Sequence, residues 1–232
     1  MGRLFDNNAY ESTVIKMELT IGAVSMYYIN RRQPTHTMLD FNPIKVIEAI
    51  LFFAEKEKEV NKTEIDLIKI HKYFYFSEKE HLKTYLRPIF GDTYIAMQEG
   101  PVPSLVYDIL KWLREGKNPF LQGVLEAVAK NATSSLKVYD NYLVAPLRKP
   151  DLKKFSKSEL EVMENVFRKY HAYSSKDLST LSHSEPAWKN AQENGWNEMD
   201  FSEIIGDKEA WEYIEQQNEE ARAFHASFQS HA

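Results

Sequence analysis

The stretch that most limits what this chain can fold into is 87–107, which reads RPIFGDTYIAMQEGPVPSLVY. It holds three of the nine prolines and two of the eight glycines of the chain. Proline fixes φ and removes a backbone donor, and glycine adopts conformations that other residues avoid, so no long helix can run through this stretch. Long helical patterns lie on both sides of it. We therefore predict an irregular junction with a short strand at Thr93–Met97 and turn or extended chain at Gly100–Pro103.

The helical patterns before this junction have recognisable start signals. Asn42 is a good N-cap, and Pro43 suits the first position of a helix. Thr63 is the predicted N-cap of the second helix, whose apolar residues are spread almost all round, as in a helix buried on several sides. Ser77 and Glu80 have the spacing of a capping box, so a kink or restart is predicted inside that helix.

Helices and one hairpin are predicted directly after the junction. Ser104 is the predicted cap of the next helix, and a short helix over roughly 119–130 follows it. Two β-prone runs within 136–147 flank Asp140-Asn141, which predicts a hairpin.

The rest of the chain is predicted to be helical. Ser156 and Glu159 form a second capping-box pattern, and Ser175 is the predicted cap of a short helix. Pro186 restarts the chain in a further helix, and an acidic amphipathic helix covers about 207–223. The predicted fold class is therefore α+β and predominantly α-helical: a single helical domain with a small β-sheet or hairpin.

The pattern divides the chain into three predicted parts. Met38 comes just before the first strong helix start, so the functional domain is predicted at 38–200. Residues 1–37 lack a clean period and are predicted to be an N-terminal extension or an over-extended start; a strand or helix docked on the domain is the alternative. Residues 201–232 are predicted to form an acidic C-terminal helix and tail.

Composition narrows the class of protein. The absence of cysteine excludes disulfides, thiolate zinc sites and cysteine nucleophiles. The formal net charge is −5, and from Glu193 onward ten acidic residues face only Lys208 and Arg222. This segment repels phosphate backbones, so nucleic acid is not predicted as a partner; a solvated helix face and a surface for a basic protein both fit it. No apolar run reaches the ~18–20 residues of a membrane span, which together with the absent cysteines predicts a cytoplasmic protein.

No established catalytic motif is present. The sequence contains no phosphate-binding glycine loop, no G-x-S-x-G elbow and no H-E-x-x-H pattern. Glu78 and His81, spaced i and i+3, are the best candidate metal pair, but a di-metal bundle needs a second such pair and further glutamates. An exposed pair near a helix end is the alternative interpretation. No enzyme activity, metal or cofactor is predicted.

Four further polar residues are candidate reactive groups. His71 lies within the aromatic helix and is interpreted as a buried, hydrogen-bonded histidine, with a catalytic base as the alternative. His183, beside Glu185, is interpreted as a capping or locally bonded residue. Asp92 and Glu99 flank the predicted strand, where an aspartate that bonds its own turn is the favoured interpretation over a catalytic pair.

Three separated blocks of this sequence resemble the Panacea domain of the SocA-like antitoxin family. Residues 69–82, KIHKYFYFSEKEHL, are similar to the family's LLKLLYFADKEHL helix. Residues 87–108 match the pattern RPITGDxYxAMxxGPVPxxVYD nearly position for position, and LSHSEPAW at 181–188 matches LSHxEPAW. The departures are Ile70-His71, where a Leu-Leu pair is usual, and Phe90, where a small polar residue is usual. The resemblance covers about 39–195.

This resemblance implies an antitoxin that neutralises a cognate protein toxin, encoded next to it, by direct protein–protein binding. In the SocA branch the antitoxin acts instead as an adaptor that delivers its toxin to the ClpXP protease. A DNA-binding regulator associated with a phage or mobile element is a further alternative. The family has no established active site, so the matching positions carry over only as signature residues, structural or partner-binding. These are Asp92, Tyr94, Gly100, Pro101, Val102, Tyr107, His183, Pro186 and Trp188.

Overall fold

A computed structural model describes residues 41–118, 121–195 and 198–229. Within these ranges the chain forms nine α-helices, one 3-10 turn and five short strands. The helices are α1 (Pro43–Val60), α2 (Leu67–Tyr85), α3 (Ser104–Glu115), α4 (Val124–Ala132), α5 (Lys157–Tyr170), α6 (Ser175–Ser182), α7 (Pro186–Glu193), α8 (Phe201–Ile205) and α9 (Lys208–Gln229). The strands are β1 (Ile65–Asp66), β2 (Tyr94–Met97), β3 (Gly100–Pro103), β4 (Leu136–Val138) and β5 (Leu143–Pro146), and the 3-10 turn is Leu152–Lys154.

The central element is α2, which packs against α5, α6 and β3. Its aromatic residues Tyr73, Phe74 and Tyr75 are fully buried, as the all-round apolar pattern predicted. The predicted kink at Ser77 is wrong, because the helix runs unbroken through this buried residue. The predicted Thr63 cap is also wrong: Asp66 is the N-cap, and its side chain accepts a hydrogen bond from the Lys69 amide at 3.0 Å.

Other helix starts follow their local signals. Asn42 caps α1, with Pro43 at the first position, and Pro186 opens α7 as predicted. The predicted capping box of Ser156 and Glu159 is confirmed at the start of α5. The cap of α6 is Ser174, one residue before the predicted Ser175.

The bounds of α4 and α9 differ from those predicted. The helix predicted at 119–130 begins only at Val124, because Gly123 before it has a φ of +61° and ψ of −128°, outside the helical region. The acidic helix predicted at 207–223 extends further, to Gln229.

Two small antiparallel sheets complete the fold. The predicted hairpin at 136–147 is confirmed as β4–β5, and β1 pairs with the free edge of β5 in the order β1-β5-β4. The segment Gly100–Pro103, predicted as turn or extended chain, is the strand β3 and pairs with β2. The other edge of β2 meets residue Glu198 in an isolated bridge.

A single apolar cluster joins these elements and extends from Phe41 to Ile214. Phe201 of α8 stacks on Trp211 of α9 with ring centres 5.0 Å apart, which attaches the start of the acidic helix to this core. The predicted fold class, α+β and predominantly helical, is confirmed. The predictions for 1–37 concern a segment outside the described residues. No helix in the described part is both long and apolar enough to span a membrane.

Candidate functional site

Glu78 of α2 binds the turn that follows its own helix. The side chain is fully buried, and its two oxygens accept hydrogen bonds from the backbone amides of Ile89 (2.7 Å), Phe90 (3.0 Å) and Gly91 (2.8 Å). Burial raises the pKa of Glu78, and the three amide bonds act in the opposite direction. The interpretation of Glu78 and His81 as an exposed pair is therefore wrong: a carboxylate with this many backbone partners has a structural role.

His81, one turn further on, is also buried and fully engaged. Its Nδ1 lies 2.7 Å from the Arg87 carbonyl oxygen, which can only accept, so Nδ1 carries the proton. Its Nε2 then accepts from the Ser158 hydroxyl at 3.1 Å. Burial lowers the pKa of His81, in keeping with this neutral form. Across the described ranges no three acidic or histidine side chains are grouped to hold a metal ion.

Asp92 caps the helix that follows the junction. It is fully buried, with both oxygens 3.0 Å from the Leu105 amide and Oδ2 also 3.0 Å from the Val106 amide. Burial raises the pKa of Asp92 to about 7, and its amide bonds to Leu105 and Val106 oppose that rise. The predicted Ser104 cap is wrong, because Pro103 holds the N-cap position without a side-chain bond and the acceptor comes from Asp92.

Glu99 binds a different element from Asp92. Its Oε2 accepts from the Ser179 hydroxyl of α6 at 3.0 Å, at the turn between β2 and β3. The two carboxylates that flank β2 therefore bind two separate helices, Asp92 the start of α3 and Glu99 a residue of α6.

The start of β3 has no room for a side chain. Gly100 has a φ of +96°, and a Cβ there would lie 2.2 Å from the Ser182 Oγ and 2.8 Å from the Lys72 Nζ. Lys72 is only 1% exposed, and its Nζ donates to the Pro101 carbonyl oxygen at 2.9 Å. Burial lowers the pKa of Lys72 to about 7, against the attraction of Glu99. Sequence reasoning missed Lys72, although its place on a helix predicted to be buried all round was the available signal.

The third signature block docks on the edge of β2. Trp188 donates its indole N–H to the Met97 carbonyl oxygen at 3.0 Å, and its ring stacks on His183 with centres 4.2 Å apart. His183 occupies the C-cap of α6, where its amide donates to the Ser179 carbonyl oxygen at 3.1 Å, so the capping interpretation is confirmed. Glu185 accepts a hydrogen bond from the Tyr75 hydroxyl at 3.0 Å and forms an ion pair with Lys79.

His71 and two signature tyrosines connect the central helix to the junction. Tyr94 donates its hydroxyl to the Phe74 carbonyl oxygen at 3.2 Å. The Tyr107 ring lies 6.1 Å from His71, which is buried as predicted. Burial, followed by the charge of Lys72, lowers the pKa of His71 to about 3. The predicted hydrogen bonding is not confirmed, because the Nε2 atom has no partner among the described residues.

The signature positions are mostly interior. Asp92, Tyr94, Gly100, Pro101 and Val102 are buried. Tyr107, His183 and Trp188 are half-buried, while Pro186 is exposed at the first position of α7. This arrangement holds α2, β2, β3, α3, α6 and α7 together and leaves little of the signature accessible to a partner.

Comparison with known proteins gives one match. A family model described as "Antitoxin SocA-like, Panacea domain" matches residues 70–189, just over half of the 232-residue chain. The matched range begins in α2, ends in α7 and contains all nine signature positions. No curated protein and no solved structure matches the chain.

Proposed function

This chain belongs to the SocA-like antitoxin family, that of the Panacea domain, and from that premise we propose that it neutralises a cognate protein toxin in the cytoplasm by binding it directly. The observation that carries the proposal is the match over 70–189, which includes both carboxylate contacts and the β2–β3 hairpin. The toxin is proposed to be encoded next to this chain.

The bonding of the buried charged residues at the junction supports a role in binding without a reaction. Glu78 and Asp92 use their oxygens on backbone amides, and Lys72 donates to a backbone carbonyl inside the core. Groups committed in this way fix a scaffold and are not available to a substrate. A rigid scaffold that displays surface loops is what recognition of another protein requires.

Co-expression with the product of the neighbouring gene tests this proposal. The neighbouring product alone should arrest growth, this chain should restore growth, and the two proteins should elute together in size-exclusion chromatography. A neighbouring product that is harmless alone, or that stays toxic beside this chain, would refute the proposal.

The same co-expression assay, repeated in a host that lacks the ClpXP protease, distinguishes direct binding from delivery to that protease. Under direct binding, protection persists in a host that lacks ClpXP, and the toxin accumulates as a stable complex. If protection is lost in that host, the adaptor role replaces direct neutralisation. A salt-dependent shift of promoter DNA by this chain alone would support the DNA-binding regulator instead.

A further inference from the structure

Tyr142 has a backbone conformation that normally calls for glycine. It is the last residue of a three-residue loop, closed where the Tyr139 amide donates to the Leu143 carbonyl oxygen at 2.9 Å. Its φ of +65° lies in the left-handed region, and the third residue of such a loop is usually glycine. The side chain is 55% exposed, so packing of the core does not require a tyrosine here. A bulky residue at a position that favours glycine points to a role outside the fold.

Cations lie over two aromatic rings of this hairpin, the exposed Tyr142 and the half-buried Tyr139. The Arg114 guanidinium, from the end of α3, is 4.4 Å from the centre of the Tyr142 ring. The Lys137 ammonium is 4.6 Å from the centre of the Tyr139 ring. Arginine and tyrosine are the side chains most enriched among residues that dominate binding at protein interfaces. We define the basic–aromatic face by these two cation–aromatic pairs of the β4–β5 hairpin together with Lys111 and Lys117, which lie three residues before and after Arg114 in the chain.

The face is positively charged on a protein that is acidic overall. Arg114 forms an ion pair with Glu115 at 2.5 Å, and this bond, followed by the charges of Lys111 and Lys117, holds the pKa of Glu115 below its usual value. Even with Asp140 at the tip of the hairpin included, the four cations outnumber the two carboxylates. The whole chain carries a formal charge of −5. A partner that covers this face must therefore supply carboxylates to complement it.

We infer that the basic–aromatic face is the docking surface for the toxin, which meets it with an acidic patch around a slot for the Tyr142 ring. This inference rests on the proposed function and adds to it the surface and the chemistry of the partner. The signature residues around Gly100 stabilise the scaffold, and the tip of the β4–β5 hairpin contacts the toxin.

The first test compares stability with affinity in Tyr142→Gly. Glycine removes the backbone strain at φ +65°, so Tm should stay unchanged or rise by about 2 °C. The affinity for the purified product of the neighbouring gene, measured by titration calorimetry with the full chain, should fall about tenfold. Arg114→Glu reverses the central charge of the face and should lower this affinity by about 100-fold.

Leu86→Gly is the matched control. Leu86 is also an exposed apolar residue in the left-handed region, with a φ of +53° and an exposure of 37%. It lies at the opposite end of α2 from the hairpin, because the Leu67 amide at the start of α2 donates to the Tyr142 carbonyl oxygen. The 19 residues of α2 separate the two ends by about 28 Å. Leu86→Gly should raise Tm in the same way and leave the affinity within about twofold of the wild type.

Other outcomes of these affinity and Tm measurements would contradict the assigned surface. If the wild type binds and both face variants bind equally well, the assigned surface is wrong while the proposed function stands. If Leu86→Gly weakens binding and Tyr142→Gly does not, the partner docks at the other end of α2. A fall of several degrees in the Tm of Tyr142→Gly makes the tyrosine structural and overturns the inference.

Two further results concern the identity of the partner. If the wild type does not bind the neighbouring product at all, the proposed function fails and the assigned surface fails with it. If the face variants lose a promoter DNA shift and keep the toxin, the face binds nucleic acid.

Discussion

Two hairpins of this protein each place one residue in the left-handed region. In one hairpin that residue is a buried glycine, and in the other it is an exposed tyrosine. In β2–β3 the residue is Gly100, where both the φ of +96° and the lack of space exclude any side chain. In β4–β5 it is Tyr142, where the φ of +65° favours glycine but the ring projects to solvent. The buried hairpin lies within the family signature, and its sequence is what its fold requires. The exposed hairpin departs from what its fold favours, which is expected where a residue is selected for contact with a partner.

The largest effect is expected from Gly100→Val. A Cβ at 2.2 Å from the Ser182 Oγ forces the backbone to move, and a β-branched residue is strained at positive φ. We expect a loss of more than about 4 kcal/mol in the free energy of unfolding, which removes soluble folded protein. Gly206→Val is the control, since Gly206 has a φ of +73° but nothing within 4 Å, and it should cost about 2 kcal/mol. A soluble, folded Gly100→Val protein that fails to protect cells would make this hairpin a binding site instead.

Asp92→Ala should rank next. It leaves the buried amides of Leu105 and Val106 without an acceptor, at a cost of about 3 kcal/mol in urea unfolding. Ser174→Ala, which removes an exposed helix cap at the start of α6, should cost about 1 kcal/mol. Equal losses in the free energy of unfolding of Asp92→Ala and Ser174→Ala would show that burial does not increase the contribution of the Asp92 contacts to stability.

The buried amine of Lys72 predicts a pH dependence of stability. Its pKa is about 7 in the folded protein and 10.5 as the ordinary value. Between these two values the unfolded chain holds a proton that the folded protein lacks, so the free energy of unfolding should rise with pH, by up to about 1.4 kcal/mol per pH unit. Below pH 7 both states hold the proton, and this dependence disappears.

Urea unfolding at pH 7.5 and pH 9.5 measures this rise. The wild type should gain about 2 kcal/mol over this interval. Lys72→Met, which keeps the length of the side chain and removes the amine, should gain less than about 0.5 kcal/mol. A wild type whose stability does not change over the interval would show that Lys72 stays protonated in the core.

The smallest expected effect is the change of affinity with salt concentration. It distinguishes the β4–β5 hairpin, proposed to bind the partner, from the buried β2–β3 hairpin. Raising NaCl from 50 to 500 mM should weaken the complex with the neighbouring product about tenfold, because the exposed charges of Lys117 and Lys137 in the basic–aromatic face are screened. The Tm of the free protein should move by less than about 2 °C, since the contacts of the buried hairpin are shielded from ions. An affinity that is independent of salt would argue against an acidic patch on the partner.

Several signals that lie within a few residues of their effect were read correctly from the sequence, while others of the same kind, such as the caps predicted at Thr63 and Ser175, were misplaced. The caps at Asn42 and Ser156, the start at Pro186 and the hairpin around Asp140 were all predicted from adjacent residues. Each depends on residues that lie within three or four positions along the chain.

Several of the misses share one cause, which is a partner further along the chain. Ser104 looked like the cap of α3, but the acceptor is Asp92, 13 residues before the Leu105 amide. Glu78 looked exposed because carboxylates usually are, and its partners begin 11 residues later. The face around Tyr142 was missed because the composition of the hairpin does not show which loop residue takes positive φ.

The contacts of Glu78 and Asp92 also have a consequence for the order in which the protein folds. They close loops of only 11 to 14 residues, whereas the ion pair of Arg148 with Glu48 spans 100. Short loops cost less entropy to close, so residues 78–106 should acquire native structure before distant elements dock. In pulsed hydrogen exchange during refolding, the amides of Ile89 and Leu105 should be protected before those of α5. The segment that identifies the family is thus also the segment expected to fold first.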